Sequence, residues 1–431
     1  MSPLHRRLAG GAVLVACVAL SVLQTRSQRP GTDFHARWLA GRMFAAGAPL
    51  YGADARFAET TRWAEMPSYP PFAAMVFQLT APFPLKTAAA GFYFFNLLLI
   101  PVAVVLTRRI FDALWPPPPP GRNRARWPLV AAVVLAAQFF LNNLNLVQVD
   151  AALFVLVLYG TAAYVEGKDV RAAGALVVAS AIKIVPVFFV AWLVLRGRRR
   201  AALAVLPFAV ACVALPILQR GMSRGVQDFT GYHQTFLRSF LEGRVVATYT
   251  NQNLGAAVYR LTRPPEKPTD GDYRLMTISE PAARAIYGAV AVLVLVAFGL
   301  NLVALRLRDA PLTVFELGTP FLVGHLLSGL TWKAHLVTLL FVFYAFLSLR
   351  LAELPGGLRR FVVGAIALMV VSGGTGRDLV GNTLHHYIGG YSLIVWTMLV
   401  LLVGAIVFSW PRAPAPLPPP PPASSAAPSR P

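Results

Sequence analysis

Runs of about 20 consecutive apolar residues recur from one end of this 431-residue chain to the other, the length a helix needs to cross the hydrocarbon core of a bilayer. Lipid offers the backbone no hydrogen-bond partner, so a crossing segment must be a helix or part of a closed barrel. The runs are continuous, rich in Leu, Ala and Val, and lack the strict alternation of a barrel strand. They predict an all-α membrane protein with about twelve crossings, near 8–24, 87–107, 128–142, 146–165, 172–183, 185–196, 201–219, 282–305, 311–331, 334–350, 361–375 and 391–410. Two of these, 172–183 and 185–196, are too short to span alone. Lys183 and Pro186 sit at their junction, which predicts a broken pair meeting inside the membrane against protein or a water-filled cavity.

The formal net charge is +21, which in a soluble protein would suggest nucleic acid. Its distribution points to the bilayer instead. With the N-terminus in the cytoplasm and the crossings alternating, the inner loops collect Arg108, Arg109, Arg122, Arg124, Arg126, Lys168, Arg171, Arg196, Arg198 to Arg200, Arg306, Arg308, Arg350, Arg359 and Arg360. The outer turn 142–148 carries no charge, and 376–390 carries only Arg377 and Asp378. Such asymmetry places both termini in the cytoplasm and leaves no nucleic-acid partner to invoke. The basic start and the apolar run from Leu8 to Leu23 resemble a signal peptide, but Gln24-Thr25-Arg26 offers no small-x-small cleavage site, so an uncleaved first helix is expected.

Two polar segments, 25–86 and 220–281, are too long for turns and fall outside, the first expected to hold short interfacial helices. Together with the crossings they make residues 1–410 one polytopic domain. The remaining 411–431 is almost all Pro, Ala and Ser and is expected to be a disordered cytoplasmic tail, and Pro116–Pro120 reads as a spacer. Cys17 and Cys212 both lie in apolar runs and read as small hydrophobes.

Polar residues at membrane depth are the candidates for chemistry. Asp33 follows the first helix, flanked by aromatics; it is either a base in a partly dry cavity or an ordinary interfacial charge. Lys183 interrupts an apolar run, where an ammonium either faces an anion or snorkels to the surface. Ser328, Thr331, Trp332, Lys333 and His335 cluster between two crossings, as a phosphate grip or as an aromatic-belt anchor. The stretch from Asn142 through Asn145 and Gln148 to Asp150, and the run Asn251-Gln252-Asn253, supply amides suited to sugar hydroxyls or to caps and turns. Asp270-Gly271-Asp272 looks like a metal-binding triplet but reads better as a loop tip, so neither a metal nor another cofactor is expected. Nucleotide-cradle, zinc-protease and serine-hydrolase motifs are missing, and Arg-rich outer loops suit a lipid phosphate better than ATP.

One ordered set of residues carries a resemblance: Asp33-Phe34 with Leu50-Tyr51, Tyr69-Pro70-Pro71, Asn96, Asn142/Asn145/Gln148, Ile182-Lys183-x-x-Pro186, Asn251-Gln252-Asn253 with Arg260, and Trp332-x-x-His335. In these the chain resembles glycosyltransferase family 87, the polyprenyl-phosphate-mannose-dependent α-mannosyltransferases of the GT-C superfamily. It departs at Asn253, where Ser or another small residue is expected, and at Lys333, where the pattern is more often His or Tyr. The resemblance implies a GT-C-type bundle with two large extracytoplasmic loops in a bacterial plasma membrane. It implies a polyprenyl-phosphate-linked hexose such as mannose as donor, and a glycolipid or glycan hydroxyl as acceptor. Asp33 would be the general base of one inverting displacement. Lys183, His335, Lys333 and Arg260 would hold the donor phosphate, and Asn251, Gln252, Asn145, Gln148, Tyr69 and Trp332 would hold sugar or acceptor. Two rival readings remain at this point: a secondary transporter with its site at the broken pair around Lys183, and a membrane scaffold without chemistry.

Overall fold

The structure is a computed structural model that describes residues 15–28, 32–51, 69–115, 125–265 and 271–410. The expected polyproline spacer, Asp270 and the expected 411–431 tail lie outside the described residues. All regular structure among the described residues is helical. Five helices are long and apolar enough to cross a membrane: α4 (Leu85–Leu114), α5 (Trp127–Asn145), α9 (Arg199–Arg220), α13 (Glu280–Leu307) and α16 (Gly356–Gly373). A sixth crossing is available if α17 (Arg377–Gly390) and α18 (Leu393–Ser409), bent by 57° at their junction, form one broken span. The expected count of about twelve is therefore not met by length alone. Several apolar runs are realised as shorter helices: α1 (Val15–Thr25), α6 (Asp150–Val165), α8 (Val187–Arg196) and α14 (Val314–Leu327), while the run at 334–350 becomes a 3-10 turn, Lys333–Thr338, leading into α15 (Leu339–Leu347).

Length and position go together. The long helices turn apolar side chains outward, as Val105 on α4, Leu206 on α9 and Leu293 on α13 do. Every residue of α15, and nearly every residue of α14, is buried. Phe154 and Phe189 pack edge to face on Phe321 there, and Phe341 packs on it at a tilt, in a dense aromatic core. An outward apolar surface on long helices around a centre of short ones is what a lipid solvent selects, because only the outer helices must match the bilayer thickness.

The broken pair is found where the sequence places it. Helix α7 (Asp169–Ile182) stops, Lys183 is extended, and α8 begins after Pro186. The segment between α1 and α4 holds α2 (Asp33–Ala45) and α3 (Pro71–Phe77), and that between α9 and α13 holds α10 (Met222–Tyr232), α11 (Arg238–Leu241) and α12 (Leu254–Thr262). The expected outer turn 376–390 is instead helix α17, kinked at Gly381, whose φ of 76° suits glycine.

Two devices fix α2, which begins with Asp33. A buried guanidinium, Arg220, pairs with Asp228 at 2.9 Å and donates to the carbonyls of Met43, Phe44 and Ala48, clamping the C-terminal end of α2. At Gly41 the helix lies so close to the chain at Phe77 that an added Cβ would sit 2.3 Å from the Phe77 carbonyl oxygen. Gly41→Val is therefore expected to push α2 off its seat and destabilise the protein by roughly 1–3 kcal/mol. Thermal unfolding in detergent measures this, and an unchanged midpoint would show that the contact carries no constraint.

Candidate active site

Asp33 occupies the first turn of α2, where a helix end favours a carboxylate. Arg37, four residues on and so on the same face, is buried. Its guanidinium donates to the Tyr69 hydroxyl at 2.9 Å, to Gln148 Oε1 at 2.8 Å and to the Val147 carbonyl at 2.8 Å. An arginine only donates, so it holds the amide oxygen of Gln148 toward itself and turns the amide NH2 toward Asp33. That NH2 donates to Asp33 Oδ2 at 2.6 Å. Burial raises the Asp33 pKa above the usual carboxylate range, against Arg37, the Gln148 hydrogen bond and Lys183, all of which lower it.

The backbone that delivers Gln148 is strained. Helix α5 ends with Val147 N–H bonding the Leu144 carbonyl and Gln148 N–H bonding the Asn143 carbonyl, the pattern of a Schellman motif. The left-handed position, usually glycine, is taken by Val147 with φ 50°. Its side chain is buried in a cluster with Phe34, Trp38, Ala89, Tyr93 and Leu144, which offsets the strain. Asn96 on α4 then donates to the Gln148 carbonyl at 2.8 Å.

Two residues further, Asp150 opens α6 and meets Lys183 at the break after α7. The ammonium lies 2.8 Å from Oδ1 and 3.1 Å from Oδ2. His335 Nε2 lies 3.9 Å from the same carboxylate. Its Nδ1 accepts the Trp332 N–H at 3.2 Å, so the neutral ring carries its proton on Nε2, and the indole of Trp332 lies parallel to it with ring centroids 6.0 Å apart. His325, held by the Thr338 hydroxyl at 2.7 Å, also acts electrostatically on Asp150. Asp33 feels both Lys183 and Asp150. One polar centre therefore joins Asp33, Arg37, Gln148, Asp150, Lys183, His325 and His335.

The remaining sequence candidates take other places. Tyr69 joins the centre through Arg37. Lys333 lies to one side, donating to the Thr375 carbonyl at 2.6 Å with His385 Nδ1 at 3.3 Å. Asn145 is exposed at the end of α5, while Asn143 points inward and donates to the Ala334 carbonyl. Residues two apart on a helix point nearly opposite ways, so only one of the pair can face the interior. Asn251 and Gln252 fasten their loop: Asn251 accepts from Thr331 N–H at 2.8 Å, and Gln252 donates to the carbonyls of Tyr249 and Gly389. Arg260 spends its donors on the carbonyls of Gly390, Thr248 and Asn251 and on the Ser392 hydroxyl. Four of the five N–H donors of Arg260 are engaged in this way, which leaves one on Nη2. Asp272 is gripped by Arg274, and no group of metal-ligating side chains occurs among the described residues. Arg37 and Asp150 are the functional candidates whose roles sequence reasoning missed; the four-residue spacing from Asp33 and the carboxylate at a helix start were the available signals.

The profile of glycosyltransferase family 87 matches residues 68–329, more than half of the chain. The chain belongs to glycosyltransferase family 87. The match takes in Tyr69, Gln148, Asp150, Lys183 and His325, and leaves Asp33 and His335 outside its limits. No curated protein and no solved structure matches the chain. Membership in this family makes the protein a membrane glycosyltransferase and displaces the transporter and scaffold readings.

The Asp150–Lys183 pair is nearly buried, with side-chain exposures of 9% and 13%. Removing one partner strands the other charge, so Lys183→Met should destabilise the protein by roughly 3 kcal/mol, and a compensating Asp150→Leu should recover most of that loss. A double-mutant cycle on unfolding midpoints measures the coupling; additive effects would mean that the pair is not coupled.

Proposed function

We propose that this glycosyltransferase moves a sugar, a hexose such as mannose, from a polyprenyl-phosphate donor to an acceptor hydroxyl on a glycolipid or glycan, with inversion. The reading is supported above all by one observation: a desolvated carboxylate, Asp33, shares a polar centre with a lysine and a histidine that can face a phosphate. Asp33 takes the proton of the acceptor hydroxyl as its oxygen bonds to the anomeric carbon. The bond from that carbon to the phosphate oxygen breaks, and its electron pair leaves with the polyprenyl phosphate. Lys183 meets the growing negative charge: an ammonium has three donors, and Asp150 engages two of them. His335 offers Nε2–H beside it, and Trp332 supports that ring. Arg37 and Gln148 position Asp33.

In this reading the centre lies on the extracytoplasmic side of a bacterial plasma membrane, both termini are cytoplasmic, and the shorter apolar helices complete further crossings of a GT-C-type bundle.

Asp33→Asn should fold and insert normally while losing on the order of 10²–10⁴-fold in transfer rate. Membranes supplied with a polyprenyl-phosphate sugar provide the assay, and full activity in this variant would remove Asp33 from the mechanism. The pH profile is a second check. The base works only when ionised, so activity falls as pH drops through the Asp33 pKa, which burial sets above the ordinary value of 3.8. Arg37 is the largest influence opposing that rise, so Arg37→Gln should move the acid limb of kcat/KM to still higher pH. An acid limb that stays in place would separate Asp33 from the titration.

A further inference from the structure

A cleft of about 520 Å³ opens between the loop after α11 and the start of α13, lined by Arg244, Arg263, Arg284, Tyr259, Glu242 and Glu280. None of these residues belongs to the Asp33 centre. The volume is in the range of small-ligand sites, roughly 300–1,000 Å³.

Its charge is unevenly balanced. Glu242 pairs with Arg238 at 2.6 Å, which leaves Glu280, 3.3 Å from Arg284, as the carboxylate set against three guanidinium groups. Arg284 is seated by a glycine: Gly243 has φ +86°, and a Cβ there would lie 3.2 Å from Arg284 Nε. Arg263 is fixed by one donor on the Ile278 carbonyl at 2.8 Å. Arg244 has no ion pair among the described residues. Guanidinium forks converging on a small volume match the oxygens of a phosphate.

Depth points to the source of that phosphate. Between Arg284 and Arg306 the helix α13 carries no charged residue, a stretch matching the roughly 20 residues that cross the hydrocarbon core. Arg284 therefore stands at headgroup level. On the side of α13 that carries Arg284, Val292 and Leu295 face outward, and the loop just before the helix exposes Leu275 and Met276 at 71% and 60%. A soluble anion would have no use for such an apolar border, whereas acyl chains would cover it.

We propose that this cleft is a second phosphate site, separate from the Asp33 centre, that binds the headgroup phosphate of an anionic membrane lipid. Its occupant braces the loop leading to Asn251, which is fastened to Thr331 beside Trp332 and His335.

Full-length protein in detergent, titrated with phosphatidylglycerol, phosphatidylcholine or inorganic phosphate and followed by native mass spectrometry, tests this. The wild type should retain phosphatidylglycerol in preference to phosphatidylcholine and bind inorganic phosphate far more weakly. Arg244→Ala and Arg284→Gln should each weaken phosphatidylglycerol retention roughly tenfold, the loss of one charge-assisted contact. Arg244→Lys should keep part of it, and unfolding midpoints unchanged from wild type would locate the loss in the site. Equal retention by wild type and both variants, equal binding of the two lipids, or inorganic phosphate binding as tightly as phosphatidylglycerol would each overturn the assignment.

Discussion

An ammonium and a carboxylate, Lys183 and Asp150, meet 2.8 Å apart at the interrupted end of a helix, and the polar centre is organised around that contact. Charges away from water must be paired, and a helix that stops inside a protein must find partners for its last groups. The pair meets the first demand here. The break between α7 and α8 frees the chain to present Lys183, and the start of α6 presents Asp150 to receive it. His335 and His325 gather on the same carboxylate.

The carboxylate proposed as base is held by a different route. Asp33 sits on a short helix fixed at one end by Arg220 and Asp228 and seated on the Phe77 backbone through Gly41. Its orientation comes from Gln148, whose amide is polarised by Arg37 and whose backbone is turned by the strained Val147. Strain at a residue that delivers the hydrogen-bond donor is tolerated because the valine side chain is buried among aromatics. The two halves of the centre, one built on α2 and the other on α6 and α7, are joined by the chain at Gln148 and Asp150, with Val149 alone between them.

Much of this was legible in the sequence. Lys183 stood out because it interrupts an apolar run, Asp33 because it follows the first apolar run among aromatics, and His335 because it belongs to a polar cluster between two crossings, signals that need no tertiary information. Arg37 escaped notice although its spacing from Asp33 places both on one helix face. Asn145 was chosen over Asn143, since nothing local says which side of α5 faces inward. Asn251, Gln252 and Arg260 read equally as ligands for a sugar or phosphate and as residues that brace a loop, because both have the same composition. The partners they have, Thr331, Gly389, Gly390 and Ser392, lie 80 to 137 residues away.

The sequence by itself determined the helical class, the membrane setting and the break at Lys183, because hydrophobic run length and the backbone's need for internal hydrogen bonds in lipid act over a turn or two of helix. Tertiary structure alone decided which apolar helices stay short and central, that 376–390 is a kinked helix, and which polar groups meet. The bond between Gln148 and Asp33 spans 115 positions. Pairings over such distances follow from how faces of different helices pack, and no local pattern encodes that.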